Sequence, residues 1–223
     1  METPKFKLSD IFYGIIIPLI LVLLIYLLAV YVNPAGSHHV LGTSGTLGTI
    51  AVIFTDGFVS MIVLGVPLVL GLIWNKWAGG SAGFIMGGMY YVASAGLYTG
   101  YYAGMSPSYN FFGDLSMLGY LVNAIIIGYM AGALNSGSSS FKRMLGAGLT
   151  AALITATLQA YFNYTLSLKP AMSMNHANWA IKTFGVPGLY GFTLAFVPSI
   201  ALGIIVPVIA KVMTWYGLQP MRH

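Results

Sequence analysis

Charges are so few and so spaced in this chain of 223 residues that they cut it into long uncharged runs. It has nine Lys/Arg and four Asp/Glu, and 57–75, 77–113, 115–141, 144–168 and 183–210 contain none of them. No charge falls between Asp10 and Asp56 either. A helix needs roughly 20 mainly apolar residues to cross the hydrocarbon of a bilayer. The runs therefore predict an all-α integral membrane protein: a bundle of six transmembrane helices over about 11–33, 48–74, 81–104, 115–134, 144–166 and 187–214, forming one transmembrane domain over 1–223. The second and sixth exceed what a bilayer requires, and Pro67, Pro198 and Pro207 interrupt them, which predicts tilt or kinks.

The few cations also set a direction. With the N-terminus in the cytoplasm, Lys5, Lys7, Lys76, Lys142, Arg143, Lys211 and Arg222 all fall inside, and only Lys169 and Lys182 outside. Basic residues favour the cytoplasmic loops, so the expected orientation is N-in, C-in, in the cell membrane. The net charge of +5 follows from this arrangement and is not read as a nucleic-acid footprint.

Composition narrows the functions open to such a chain. Hydrophobic residues make up 58% and charged residues 6%, which excludes an ordinary water-soluble domain. Cysteine is absent, which removes disulfides, thiolate metal sites and a cysteine nucleophile. The first apolar segment, Ile11 to Val32, exceeds a signal-peptide core and ends in Asn33-Pro34, so it is expected to be a retained helix. No Gly-x-Ser-x-Gly, His-Glu-x-x-His, P-loop or dinucleotide fingerprint is present, so the chain is expected not to be an enzyme. Uphill transport would need an ion gradient or a separate ATPase.

Apolar helices in lipid associate through small residues that let backbones approach. Gly79, Gly83 and Gly87 open the third helix at four-residue spacing. Ala124, Gly128, Gly132 and Ser136 line the fourth, and Gly148, Ala152, Ala156 and Ala160 the fifth. The rows predict a tight core of helices three to five. The first helix, with Ile15-Ile16-Ile17 and a bulky run from Leu19 to Leu28, suits lipid or a loosely packed edge.

Polar residues gather on the side expected to face out: His38, His39, Asp56, Tyr98, Tyr101, Tyr102, Asp114, Asn163, His176 and Trp179 among them. A carboxylate at membrane depth is costly, so Asp56 is a candidate functional residue. If its helix instead starts near Gly57, Asp56 serves as a solvated N-cap. Tyr98 and Tyr102 near the end of the third helix, with Asn163 on the fifth, either anchor the bundle at the membrane interface or line a mostly apolar pocket with a few directing groups. Trp179 would then close that pocket as part of a loop. His38, His39 and His176 match no ligand spacing, so neither a metal nor a cofactor is expected.

One stretch carries a family resemblance. Asn123-Ala124-Ile125-Ile126-Ile127-Gly128-Tyr129-Met130-Ala131-Gly132, the basic turn ending Lys142-Arg143, Gly148-Leu149-Thr150-Ala151 and Tyr161-Phe162-Asn163-Tyr164 resemble the fourth and fifth helices of the substrate-binding S components of energy-coupling-factor vitamin transporters. Gly79 to Gly88 resembles their glycine-rich third helix. The bulky first helix departs from the small-residue docking face that such components carry. The resemblance implies capture of a vitamin-like micronutrient from the outer side. A transmembrane coupling subunit and cytoplasmic ATPases would drive its release inside. The expected ligand-binding set is Asp56, Tyr98, Tyr102, Asn163 and Trp179, with membrane lipid and the small-molecule ligand as further partners. The competing reading is a non-catalytic structural or assembly subunit of a larger membrane complex.

Overall fold

A computed structural model describes residues 11–17, 19, 20, 23, 24, 59–103, 110–166 and 189–217. Five long helices make up the described bundle: α1 (Val59–Ile73), α2 (Lys76–Ala103), α3 (Leu115–Asn135), α4 (Phe141–Thr165) and α5 (Leu189–Trp215). A π-helical turn, Phe12–Ile16, and a 3-10 turn, Phe111–Gly113, accompany them, and no strand occurs among the described residues. Three stretches are long and apolar enough to cross a membrane: Leu118–Asn135, Phe141–Phe162 and Phe196–Trp215. Met61–Ile73 is a shorter apolar helix.

The helix boundaries have local causes. α2 begins at Lys76, five residues before the position expected from the glycine-rich run, because Asn75 caps it: its Oδ1 accepts the Ala78 N–H at 2.8 Å. That cap turns the chain from α1 into α2 within Trp74 and Asn75 alone. α3 starts behind Asp114, whose side chain accepts the Ser116 N–H, and stops at Ser136, which takes a left-handed conformation (φ 47°) followed by Gly137 (φ 73°). Arg143 Nε donates to the Leu134 carbonyl at 3.2 Å, satisfying one of the acceptors that every helix C-terminus leaves open.

α1 is the centre of the bundle, packing against α2, α3 and α5 and more lightly against α4. This enlarges the core expected from helices three to five. The reason lies in its composition: Val59 to Ile73 is apolar all the way round, the pattern of a helix enclosed on every side. Val63, Pro67, Leu68, Leu72 and Ile73 are buried accordingly. Gly71 of α1, Gly79 of α2 and Gly128 of α3 meet at one point. A Cβ on Gly79 would lie 2.7 Å from the Gly128 carbonyl carbon and 2.8 Å from the Gly71 Cα, so any side chain there would force the helices apart. Gly83 faces Ala124 and Gly87 faces Leu121, extending the contact between α2 and α3. The row on α4 does not join this seam. Gly148 and Ala152 turn instead to Pro207 and Gly203 of α5.

Successive helices run in opposite directions. Gly79 lies beside Gly128 and Gly87 beside Leu121, so α2 is antiparallel to α3, and Asn123 opposite Gln159 sets α4 antiparallel to α3. The described cations Lys76, Lys142, Arg143 and Lys211 therefore share one end of the bundle, and the described carboxylate, Asp114, lies at the other. Along the first segment, Ile11, Phe12, Ile15, Ile16, Leu19, Ile20, Leu23 and Leu24 are all exposed, and its π-helical turn contacts α2.

Candidate functional site

The end of the bundle carrying Asp114 is where α2 and α4 finish and α3 begins. The chain enters it through Asn110, whose side chain accepts the Phe112 N–H at 3.0 Å and whose carbonyl accepts the N–H groups of Gly113 and Asp114. This turn drives Phe111 inward, to 1% exposure, against Tyr91 with ring centroids 5.1 Å apart and against Ala95. Phe112 stays exposed and meets Tyr91 edge-on at 6.2 Å. Deeper along the same helices, Tyr90 of α2 and Tyr120 of α3 meet edge-on at 5.3 Å, an arrangement that sets the positive edge of one ring against the negative face of the other.

Two polar groups sit within this aromatic wall. Asp114 is fully buried, and its Oδ1 accepts both the Ser116 backbone N–H at 3.1 Å and the Ser116 hydroxyl at 2.6 Å. A carboxylate at the start of α3 also lies at the positive end of the helix dipole. Asp114 thus has a structural task, opening α3. The second group is an amide pair between α3 and α4: Asn123 Nδ2 donates to Gln159 Oε1 at 2.7 Å. Gly119 makes room for it, since a Cβ there would stand 2.6 Å from Gln159 Oε1. Asn123 is 3% exposed, and its own Oδ1 is buried without a hydrogen-bond partner. The Oδ1 of Asn135, at the opposite end of α3, is likewise buried without a partner, so this feature is not confined to the Asp114 end.

The residues predicted from sequence divide into two groups. Tyr98 and Tyr102 lie in the last turns of α2 and Asn163 in the last turn of α4, so their backbones reach the Asp114 end. Asp56 and Trp179 lie outside the described residues, as do His38, His39 and His176. Among the described residues no group of three or more His, Asp or Glu side chains is placed to hold a metal. The sequence reading passed over Phe111, Tyr120 and Gln159. For Gln159 there was a signal: it is the one amide side chain between Phe141 and Phe162, in an otherwise apolar and small-residue helix. Phe111 gives no such signal, because only the Asn110 turn decides which of two adjacent phenylalanines is buried.

Chemically, this end offers ring faces and edges, a neutral amide pair and one carboxylate. The chain matches no family model, and it has no significant match among curated proteins or solved structures.

Proposed function

We propose that this chain is a multi-pass subunit of the cell membrane that captures a small, vitamin-like micronutrient from the outer side for uptake powered by separate ATPase subunits. The observation that carries this reading is the chemical polarity of the bundle. Its four described cations lie at one end, and the aromatic wall with Asp114 and the Asn123–Gln159 amide pair lies at the other. In a six-helix, N-in, C-in arrangement the cation end faces the cytoplasm and the aromatic end faces the ligand's side. A pocket built from these groups would have the composition expected of a small-molecule site, mostly apolar with a few directing groups. The ligand set expected from the sequence is Asp56, Tyr98, Tyr102, Asn163 and Trp179, in which the Asp56 carboxylate would favour an amine-bearing or cationic ligand. A transmembrane coupling subunit and cytoplasmic ATPases complete the transporter, in keeping with the resemblance to energy-coupling-factor S components.

Native mass spectrometry of the full chain, extracted gently from its own membrane, tests this. The expected result is a retained small molecule that is lost from the Tyr98→Ala and Asn163→Ala variants, together with co-purifying ATPase chains. Stable membrane partners with no retained molecule would overturn it. That outcome would favour the second reading, a non-catalytic assembly subunit, which one observation supports: the exposed side of α4 sets Gly146, Thr150 and Thr157 among the bulkier Leu153 and Tyr161, leaving room at the glycine for another helix to approach.

A further inference from the structure

At the cation end, three basic residues lie beside the serine turn that joins α3 to α4. Lys142 and Arg143 lie in the first turn of α4, where no acidic residue offsets them. Lys211 reaches across from α5, its Nζ donating to the Ser139 carbonyl at 2.9 Å. Arg143 is held by its Nε bond to the Leu134 carbonyl. These single bonds hold Lys211 and Arg143 while leaving most of their donors open, since an ammonium has three N–H donors and a guanidinium five, and Lys142 is exposed beside Arg143. The described carboxylate, Asp114, is at the far end of α3, so no described acid neutralises the patch.

The surface beside the patch is apolar. Trp215 and Tyr216 are exposed, with Lys211 Nζ 5.8 Å from the Trp215 ring centroid. Val208, Ile209 and Val212 continue the exposed surface along α5. Along α5, Trp215 and Tyr216 lie at the helix end beyond Lys211, and Val208 and Ile209 lie on the bundle side of it, so an aliphatic strip runs from the cation along the helix as an acyl chain runs from its headgroup.

We infer that Lys142, Arg143 and Lys211 form a binding site for an anionic phospholipid, whose phosphate sits among the three cations and whose acyl chain lies along Val208, Ile209 and Val212. The adjoining aliphatic strip selects lipid over free phosphate, which needs only the cations. The inference rests on the membrane placement proposed above but not on the ligand at the other end, and its test uses protein without that ligand.

The full chain is placed in nanodiscs of equal parts phosphatidylcholine and phosphatidylglycerol, released, and its retained lipids counted by native mass spectrometry. Wild-type protein should retain phosphatidylglycerol preferentially, and each cation removed should lower that preference by about fivefold. The triple variant K142Q/R143Q/K211Q should lose most of the preference. K142Q/K211Q, which keeps the Arg143 bond to α3, should lose an intermediate share and serves if the triple variant does not fold. K169Q/K182Q, removing two cations elsewhere in the chain, should leave the preference intact. Equal retention of both lipids by wild type would overturn the proposal. So would a preference that survives in K142Q/K211Q, or one that inorganic phosphate at a concentration equal to the lipid abolishes.

Discussion

α2 and α4 are both helices rich in small residues, yet they use their glycines in different ways. In α2, Gly79, Gly83 and Gly87 lie against the backbone of α3, so the contact leaves no atom free to give. In α4, Gly148 meets the ring of Pro207, with its Cγ 2.6 Å from where a Cβ would stand, and Gly146 meets nothing within 4 Å. A four-residue glycine repeat is therefore not one kind of feature. What faces it decides whether it is a rigid seam, an adjustable contact or an open surface.

One methyl group placed at three positions sharpens this difference. The largest effect is expected at Gly83, where a Cβ would overlap the Ala124 carbonyl group and lie 2.7 Å from the Ile125 nitrogen. Neither is a side chain that can rotate away, so Gly83→Ala should cost about 4 kcal/mol or more, in the range reserved for disruption of a core contact. Unfolding in mixed micelles would measure it. A loss below that of Gly148→Ala would show that α2 and α3 slide freely and would remove the distinction between the two helices.

Gly148→Ala comes next. The new methyl meets the edge of the Pro207 ring, with the Gly203 carbonyl oxygen 3.1 Å away. Ring pucker and a small shift of α5 accommodate overpacking of this kind at about 1–3 kcal/mol. The same micelle titration checks the value, and a cost equal to that at Gly83 would mean that the α4–α5 contact is as rigid as the α2–α3 seam.

How far these contacts could be read beforehand depends on which residues carry them. The four-residue spacing of Gly79, Gly83 and Gly87, and of Ala124, Gly128 and Gly132, marks helix faces that permit close approach, and those faces do meet. Spacing does not name the partner, so the α4 row was expected to pack within helices three to five, whereas it faces Gly203 and Pro207 of α5. Gly71 belongs to no row, and its role emerges only because Asn75 folds α1 back onto α2 within two residues. For the four described cations, Lys76, Lys142, Arg143 and Lys211, the gathering at one end was legible, since a handful of cations in an apolar chain have few places to lie. The candidate site was legible at Tyr98, Tyr102 and Asn163 only as to its end of the bundle. The pairing of Asn123 with Gln159, 36 residues apart in sequence, depends on the register between α3 and α4, which no local pattern encodes.

The smallest effect, and the one of opposite sign, is expected at Gly146. With nothing near it, an added methyl forms no clash, and alanine is about 1 kcal/mol better than glycine in a helix interior. Gly146→Ala should therefore stabilise the isolated chain by up to that amount in the same titration. This position also separates the two readings of the molecule. If the Gly146, Thr150 and Thr157 side of α4 faces lipid, the methyl replaces nothing, and the gain should persist in the native membrane. If a helix of a larger assembly packs there as closely as α3 packs on α2, the same methyl should disrupt that contact, and partner chains should be lost on extraction while the isolated subunit becomes more stable. A gain in the isolated chain with no loss of partners leaves α4 with an open glycine and returns the weight to ligand capture at the Asp114 end.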